Sequence, residues 1–170
     1  MPEELPIIIR EIHEDDNIEA ITALLHRAYG GLAAMGFRYL ATHQDAEMTR
    51  RRLAAGEGWV VTLDGEIVGT VTLYGPGKKL GGCDWYERAD IAKIGQFGIE
   101  PAYQGKGIGS RLMDMIEQRA KEIGAVEMSI DTAEGASHLI AMYKKRGYRL
   151  VGEADWDVTN YISVVMSKVL

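Results

Sequence analysis

The chain has 170 residues, 46% hydrophobic and 26% charged, which suits one domain with a single sizeable core. A formal net charge of −6 excludes the basic face that non-specific nucleic-acid binding needs. The single cysteine, Cys83, excludes a disulfide framework and a cysteine-rich zinc site and points to the reducing cytoplasm, and no apolar run approaches the roughly 18 residues of a membrane span.

Met1-Pro2-Glu3-Glu4 is acidic where a signal peptide is basic. Ile7-Ile8-Ile9-Arg10 predicts a first strand. Asp16 and Glu19 have the spacing of a capping box, and Ile18, Ile21, Leu25 and Ala28 recur at helical period until Gly30-Gly31. A second helix is predicted from about Asp45 to Ala55, with Arg50-Arg51-Arg52 as a solvated face or else a run that steers an acidic substrate or the coenzyme's 3′-phosphate. Residues 59–63 and 66–74 flank Asp64-Gly65, a pair suited to a type I′ hairpin turn. Residues 75–90 read as a loop of glycines, aromatics and acids, either the wall of a pocket or plainly exposed.

Ile91 to Ile99 predicts a strand that breaks at Glu100-Pro101. Gly105, Gly107 and Gly109 then open a helix running from Gly107 to about Ile123, with Ile108, Leu112, Met115, Ile116 and Ile123 on its core side. A strand, a glycine turn and a helix N-terminus make an anion site, because the first helical N–H groups lack internal acceptors and carry the positive end of the dipole. Lys106 and Arg111 add charge nearby. The P-loop and dinucleotide fingerprints both fail: neither Gly-Lys pair precedes Ser or Thr, and Ser110 stands where the last glycine belongs. Beyond, Val126, Met128 and Ile130 alternate with Glu127, Ser129 and Asp131, the pattern of a half-buried strand. A helix from about Gly135 to Arg146 and two closing strands, 148–152 and 161–167, complete a mixed α/β sheet within one domain, residues 1–170.

Gln104-x-x-Gly107-x-Gly109 resembles the Q/R-x-x-G-x-G/A signature of the GCN5-related N-acetyltransferases, and the element order resembles that family along nearly the whole chain. The resemblance implies the acyl-CoA N-acyltransferase (GNAT) fold and acetyl-CoA as cosubstrate. It implies that residues 104–110 (Gln104, Gly105, Lys106, Gly107, Ile108, Gly109 and Ser110) hold the pyrophosphate. It further implies that the backbone of Phe97, Gly98 and Ile99 receives the pantetheine and the acetyl carbonyl, the oxyanion-hole logic in backbone form. Gly98 suits such an approach; a bulge or close helix packing explains it equally well.

Tyr143 in Tyr143-x-x-x-Gly147-Tyr148 resembles the family tyrosine that faces the coenzyme sulfur as general acid; otherwise it is a core tyrosine. Asp131, spaced from Tyr143 like the acid of the ribosomal-protein acetyltransferases, is the candidate base, or else a helix cap. A base matters because a lysine-like amine is neutral in only about one molecule in 2,500 at pH 7. Gln96 stands where many relatives have an acid, and Ala136 where many have an asparagine. His13, His26, His43 and His138 lack metal-ligand spacing, so no metal site is predicted. Trp156, between Asp155 and Asp157, lies where the resemblance places the acceptor site; those acids suit a cationic amine, or are the ordinary acids of a turn. The expected function is acetyl transfer to a primary amine of a small molecule, peptide or protein. The alternative is an acyl-CoA-binding module that senses or scaffolds without catalysis. The apolar C-terminal strand suggests a homodimer.

Overall fold

The structure, a computed structural model, describes residues 3–170; Met1 and Pro2, half of the acidic start, lie outside the described residues. Strands β1 (Ile7–Glu11), β2 (Glu57–Leu63), β3 (Glu66–Tyr74), β4 (Ile91–Ile99), β5 (Glu127–Ala133), β6 (Arg149–Ala154) and β7 (Ser163–Val169) form one sheet. Its order is β1-β2-β3-β4-β5-β7-β6. Helices α1 (Ile18–Ala28), α2 (Gly30–Ala34), α3 (Ala46–Ala54), α4 (Ile108–Glu122) and α5 (Ser137–Lys145) connect and cover it.

Both faces of the sheet are covered. Val61 packs in the core with Ile108, Leu112 and Ile116 of α4, while its neighbour Val60 packs against Ile21 and Leu25 of α1. Each buried side chain of this size contributes about 1.5–3 kcal/mol. Asp64 and Gly65 both have positive φ, 50° and 82°, as the predicted hairpin turn requires.

Four sequence expectations change. Asn17, not Asp16, caps α1, accepting from the Ala20 N–H at 3.0 Å. Asp16 instead holds Arg10 through two hydrogen bonds of 2.8 and 2.9 Å, a charge-assisted fork stronger than a cap. Gly30-Gly31 does not end helical structure: α1 stops at Tyr29 and the glycines start the short α2, whose first bond returns from Ala33 N to Tyr29 O. Strand β5 is buried on both faces, not half-buried, because segment 84–87 covers its polar side. There the Trp85 indole N–H donates to Ser129 at 2.8 Å, and Arg88 and Arg149 pair with the buried Glu127. Finally, β7 lies between β5 and β6 with both edges paired, so the expected dimer through the C-terminal strand has no free ladder to use.

The position of the site follows from one irregular strand. Thr70 faces Gly98 while Thr72 faces Gly95, so β4 carries an extra residue there. Gln96 stands at this bulge with φ 49°, a conformation that costs a non-glycine residue about 1 kcal/mol or more. A buried amide chain holds it: Gln96 donates to Thr72 Oγ1 at 3.0 Å and accepts from Gln44 at 2.6 Å. The parallel partner β5 pairs with β4 only at Ile91–Glu127, Ala92–Met128 and Lys93–Ser129, before the bulge. Beyond it the two strands part.

The Arg10–Asp16 pair gives a test of pH dependence. The guanidinium pulls the Asp16 carboxyl down to about 2, so its contribution is complete above the usual carboxylate range and vanishes as pH falls through 2. Asp16→Asn is expected to cost about 1–2 kcal/mol at pH 7, allowing for screening by water, and almost nothing at pH 2. Urea unfolding of both proteins at the two pH values measures this; a pH-independent difference would remove the ion pair as its cause.

Candidate active site

A cavity of about 390 Å³ opens where β4 and β5 part, bordered by Ile94 to Phe97 on one strand and Ile130 to Thr132 on the other. Tyr143 of α5 closes it from the side. The Tyr143 ring is 5% exposed, belongs to the main core and meets the Tyr148 ring at 5.8 Å. Tyr143 is therefore a core residue that also borders the cavity. Burial pushes its phenol well above the ordinary tyrosine pKa, so it stays protonated through neutral pH.

Asp131 also borders the cavity, and it is the sole carboxylate among the described lining residues. It does not cap α5, whose N-cap is Ala136. It accepts from the Tyr86 hydroxyl at 2.6 Å and lies 3.1 Å from Lys93 Nζ. Lys93 is held over the rings of Tyr86 and Trp156 at 4.8 and 4.7 Å. Segment 75–90, read as pocket wall or exposed loop, does both: Lys78, Lys79 and Leu80 line the cavity and Tyr86 is buried, while Asp84 and Glu87 face solvent.

Tyr29, Tyr39 and Tyr161 form the remaining aromatic wall, with ring centroids 4.9–5.4 Å apart. Burial pushes the Tyr29 phenol up to about 12. Motif reading missed Tyr29, Tyr39, Tyr161 and Arg52, because their shared wall exists only once distant segments meet. Of the two readings of the acids beside Trp156, the structure fits ordinary turn acids. Trp156 lines the cavity, but Asp155 and Asp157 are exposed beside it, and the charged wall is mostly cationic. Arg52 belongs to that wall; only Arg50 and Arg51 are a solvated face.

The glycine turn lies beyond the far end of β4. Gly105 and Gly107 have φ of 74° and 83° with open space where a Cβ would stand, so the bare backbone faces outward in a conformation that favours glycine. Gly107 is the N-cap of α4, so the helix itself begins at Ile108, one residue after the predicted start. The first internal bond of α4 runs from Arg111 N to Gly107 O, which leaves the N–H groups of Ile108, Gly109 and Ser110 at the helix end. These groups fit a pyrophosphate on backbone chemistry alone. Lys106 is exposed over the Tyr103 ring at 5.7 Å. Three flanking side chains are otherwise engaged. Gln104 donates to the Ile99 carbonyl at 3.0 Å, Ser110 accepts from Arg146 at 3.1 Å, and Arg111 turns away to the Leu5 carbonyl and Glu4. Gly98 packs against α1, where a Cβ would come within 3.0 Å of Ala28 Cβ, which supports the packing explanation of that glycine.

Comparison with known proteins agrees with this fold. A profile of the acetyltransferase (GNAT) family matches residues 18–148. The chain is 30% identical over 154 residues to the S-(2-succino)cysteine N-acetyltransferase of Bacillus subtilis (strain 168), covering 89% of this chain and 90% of that protein. It is 24% identical over 161 residues to the S-alkylcysteine N-acetyltransferase of the same organism, covering 91% and 85%. A GNAT family acetyltransferase from Elizabethkingia anophelis, solved with acetyl-CoA bound, superimposes with a TM-score of 0.69 at 18% identity, over 96% of this chain and 98% of that one.

The chain therefore belongs to the GNAT acetyltransferase family. It is an N-acetyltransferase that uses acetyl-CoA, which sets aside the binding-only alternative. No helix among the described residues is long and apolar enough to cross a membrane. Because native protein binds the coenzyme, acetyl-CoA at about 100 times its Kd is expected to stabilise the fold by about 2.7 kcal/mol. Denaturant unfolding with and without the coenzyme reads this directly. Absence of any shift at millimolar acetyl-CoA would contradict it.

Proposed function

We propose that the acceptor is the α-amino group of a free amino acid of the S-substituted cysteine type, acetylated by direct attack on acetyl-CoA. The observation that carries this reading is the cavity of about 390 Å³ at the parting of β4 and β5, which suits a small acceptor beside a thioester rather than a protein surface. The two related enzymes named for S-substituted cysteines support the same class. The free, half-buried Cys83 suits a reducing compartment, and we place the enzyme in the cytoplasm.

Each part of the site has a task in this reading. The open helix end at Gly107–Ser110, with Gly105 and Lys106, anchors the pyrophosphate, and Gln104 braces the turn against Ile99. The edge of β4 from Phe97 to Ile99, which β5 has left, offers backbone groups to the pantetheine and the acetyl oxygen. Acetyl-CoA supplies the activated acyl group. The amine nitrogen bonds to the acetyl carbon, the carbon–sulfur bond breaks, and CoA leaves as thiolate. Asp131 receives the acceptor's ammonium and takes its proton, directly or through water. An α-amino group titrates roughly two units below a lysine side chain, so less depends on that base.

Tyr143 donates a hydrogen bond to the departing sulfur. Full proton transfer from a phenol to a thiolate, whose acid has a pKa near 8.5, runs uphill, and burial of Tyr143 steepens it. Tyr143→Phe keeps the ring and removes the hydroxyl, so kcat is expected to fall by roughly tenfold to a hundredfold, about 1.4–2.7 kcal/mol of barrier. Acetyl-CoA affinity should stay within a factor of a few. The deficit should also hold constant between about pH 6 and pH 9, since the raised phenol does not ionise there. A variant turning over at the wild-type rate, with chemistry limiting, would reduce Tyr143 to packing.

The anion site is tested by Gly107→Glu. It places a carboxylate at the helix end and forces a side chain into φ 83°, which costs about 1 kcal/mol of stability or more. Coenzyme affinity is expected to fall at least tenfold by calorimetry. Unchanged affinity in the folded variant would move the phosphate elsewhere.

A further inference from the structure

The charge of the cavity runs against that of the molecule. The chain carries −6 overall, yet the wall holds Arg52, Lys78, Lys79 and Lys93 against the single carboxylate of Asp131. Asp131 already pairs with Lys93. Among the described residues, Arg52, Lys78 and Lys79 have no carboxylate partner. An α-amino acid brings one carboxylate of its own, which is less negative charge than this wall is built to receive.

Arg52 is the most constrained of the three. Its Nη1 donates to Gln44 Oε1 at 2.7 Å, and Gln44, 3% exposed, is fixed by donating to Gln96 at 2.6 Å and to Thr49 at 2.8 Å. The same buried amide chain that sets the β4 bulge thus aims the guanidinium. Gly95 makes the room: a Cβ there would stand 3.1 Å from Arg52 Nη2. The other guanidinium N–H groups remain available, a planar fork that matches a carboxylate. Arg52 is not placed for the coenzyme phosphates. It stands beside Gly95, which faces Thr72 while Ile99 faces Gly69, about 10 Å of strand away, and the glycine turn lies beyond that end. From Phe97, where the acetyl group is expected, it lies across the Gln96 bulge. The acceptor's α-carboxylate sits two bonds from the attacking nitrogen, so a guanidinium set back along β4 suits an acid group carried through a thioether.

We propose that Arg52 receives a side-chain carboxylate of the acceptor, so that the enzyme selects S-carboxyalkyl cysteines over neutral S-alkyl ones. The proposal rests on the S-substituted cysteine reading above. Lys78 and Lys79 add long-range attraction for such an anion, which raises its local concentration. Gln44 is a positioning residue for Arg52.

The test uses two acceptors of nearly equal shape, S-carboxymethylcysteine and S-carbamoylmethylcysteine, with acetyl-CoA and thiol detection. The wild type is expected to favour the acid at least tenfold in kcat/KM, mostly through KM. In Arg52→Gln the two acceptors should converge to within about twofold, and Arg52→Lys should keep an intermediate preference. Acetyl-CoA affinity, measured in parallel, should not change in either variant. Equal use of acid and amide by the wild type would overturn the proposal, as would an equal loss for both in Arg52→Gln. If neither compound is acetylated although acetyl-CoA binds, the acceptor class is wrong. Binding of succinate to the CoA-loaded protein then decides the carboxylate site by itself: at least tenfold weakening in Arg52→Gln upholds it, and no weakening overturns it.

Discussion

The structure depends on the parting of β4 from β5. Two parallel strands that stayed paired would satisfy each other's backbone groups and leave no cleft. Here three residue pairs hold them, and then the extra residue at Gln96 turns β4 aside. A left-handed glutamine is costly, and it persists because its side chain is sealed between Thr72 and Gln44 with both amide ends satisfied. Gln96 stands where relatives often carry an acid; in this chain its amide serves as a structural rivet. The distortion, the exposed strand edge and the cavity are one feature with three aspects.

That rivet also organises the chemistry on the opposite wall. Gln44 comes from the turn before α3, Arg52 from α3 itself, and Thr22, bonded to Thr49 at 2.7 Å, from α1. A single buried polar cluster therefore ties two helices to the bulged strand. Partial removal of such a cluster leaves desolvated amides without partners and costs more than any one bond in it. The bidentate contact of Arg27 with Glu100, 2.7 and 2.8 Å, fixes α1 to the end of β4 just ahead of the glycine turn. The cavity wall and the N-terminus of α4 are thus braced by the same helix.

Elsewhere, charge serves packing. Glu117 of α4 is nearly buried and meets Arg146 and Lys168, which joins α4 to the end of α5 and to β7. Glu127 plays the same part between segment 84–87 and β6. These pairs absorb acids that an alternating pattern assigns to solvent. The cations of the cavity, by contrast, have no acid partner among the described residues except for Lys93, and their charge is left to act on what enters.

Much of this protein was legible in its sequence because the signals are local. Asp64-Gly65 imposes its turn through backbone dihedrals alone, and strand 91–99, helix α4 and the glycine turn follow from periodicity and missing side chains. The GNAT signature rests on that turn, so the family was legible too. Tyr143, singled out by its motif, and Asp131, by its spacing from Tyr143, border one cavity. What tertiary structure alone decided is who meets whom. It placed Asn17 rather than Asp16 at the cap, because Arg10 on a separate strand competes for the acid. It buried both faces of β5 by laying segment 84–87 over it. It turned Gln104 and Arg111 away from the anion site, and drew Arg52 out of a run of arginines into the cavity wall. Pattern along a chain reports which face of an element is apolar. The charge of a cavity is a sum over segments far apart in sequence, and only the fold performs that sum.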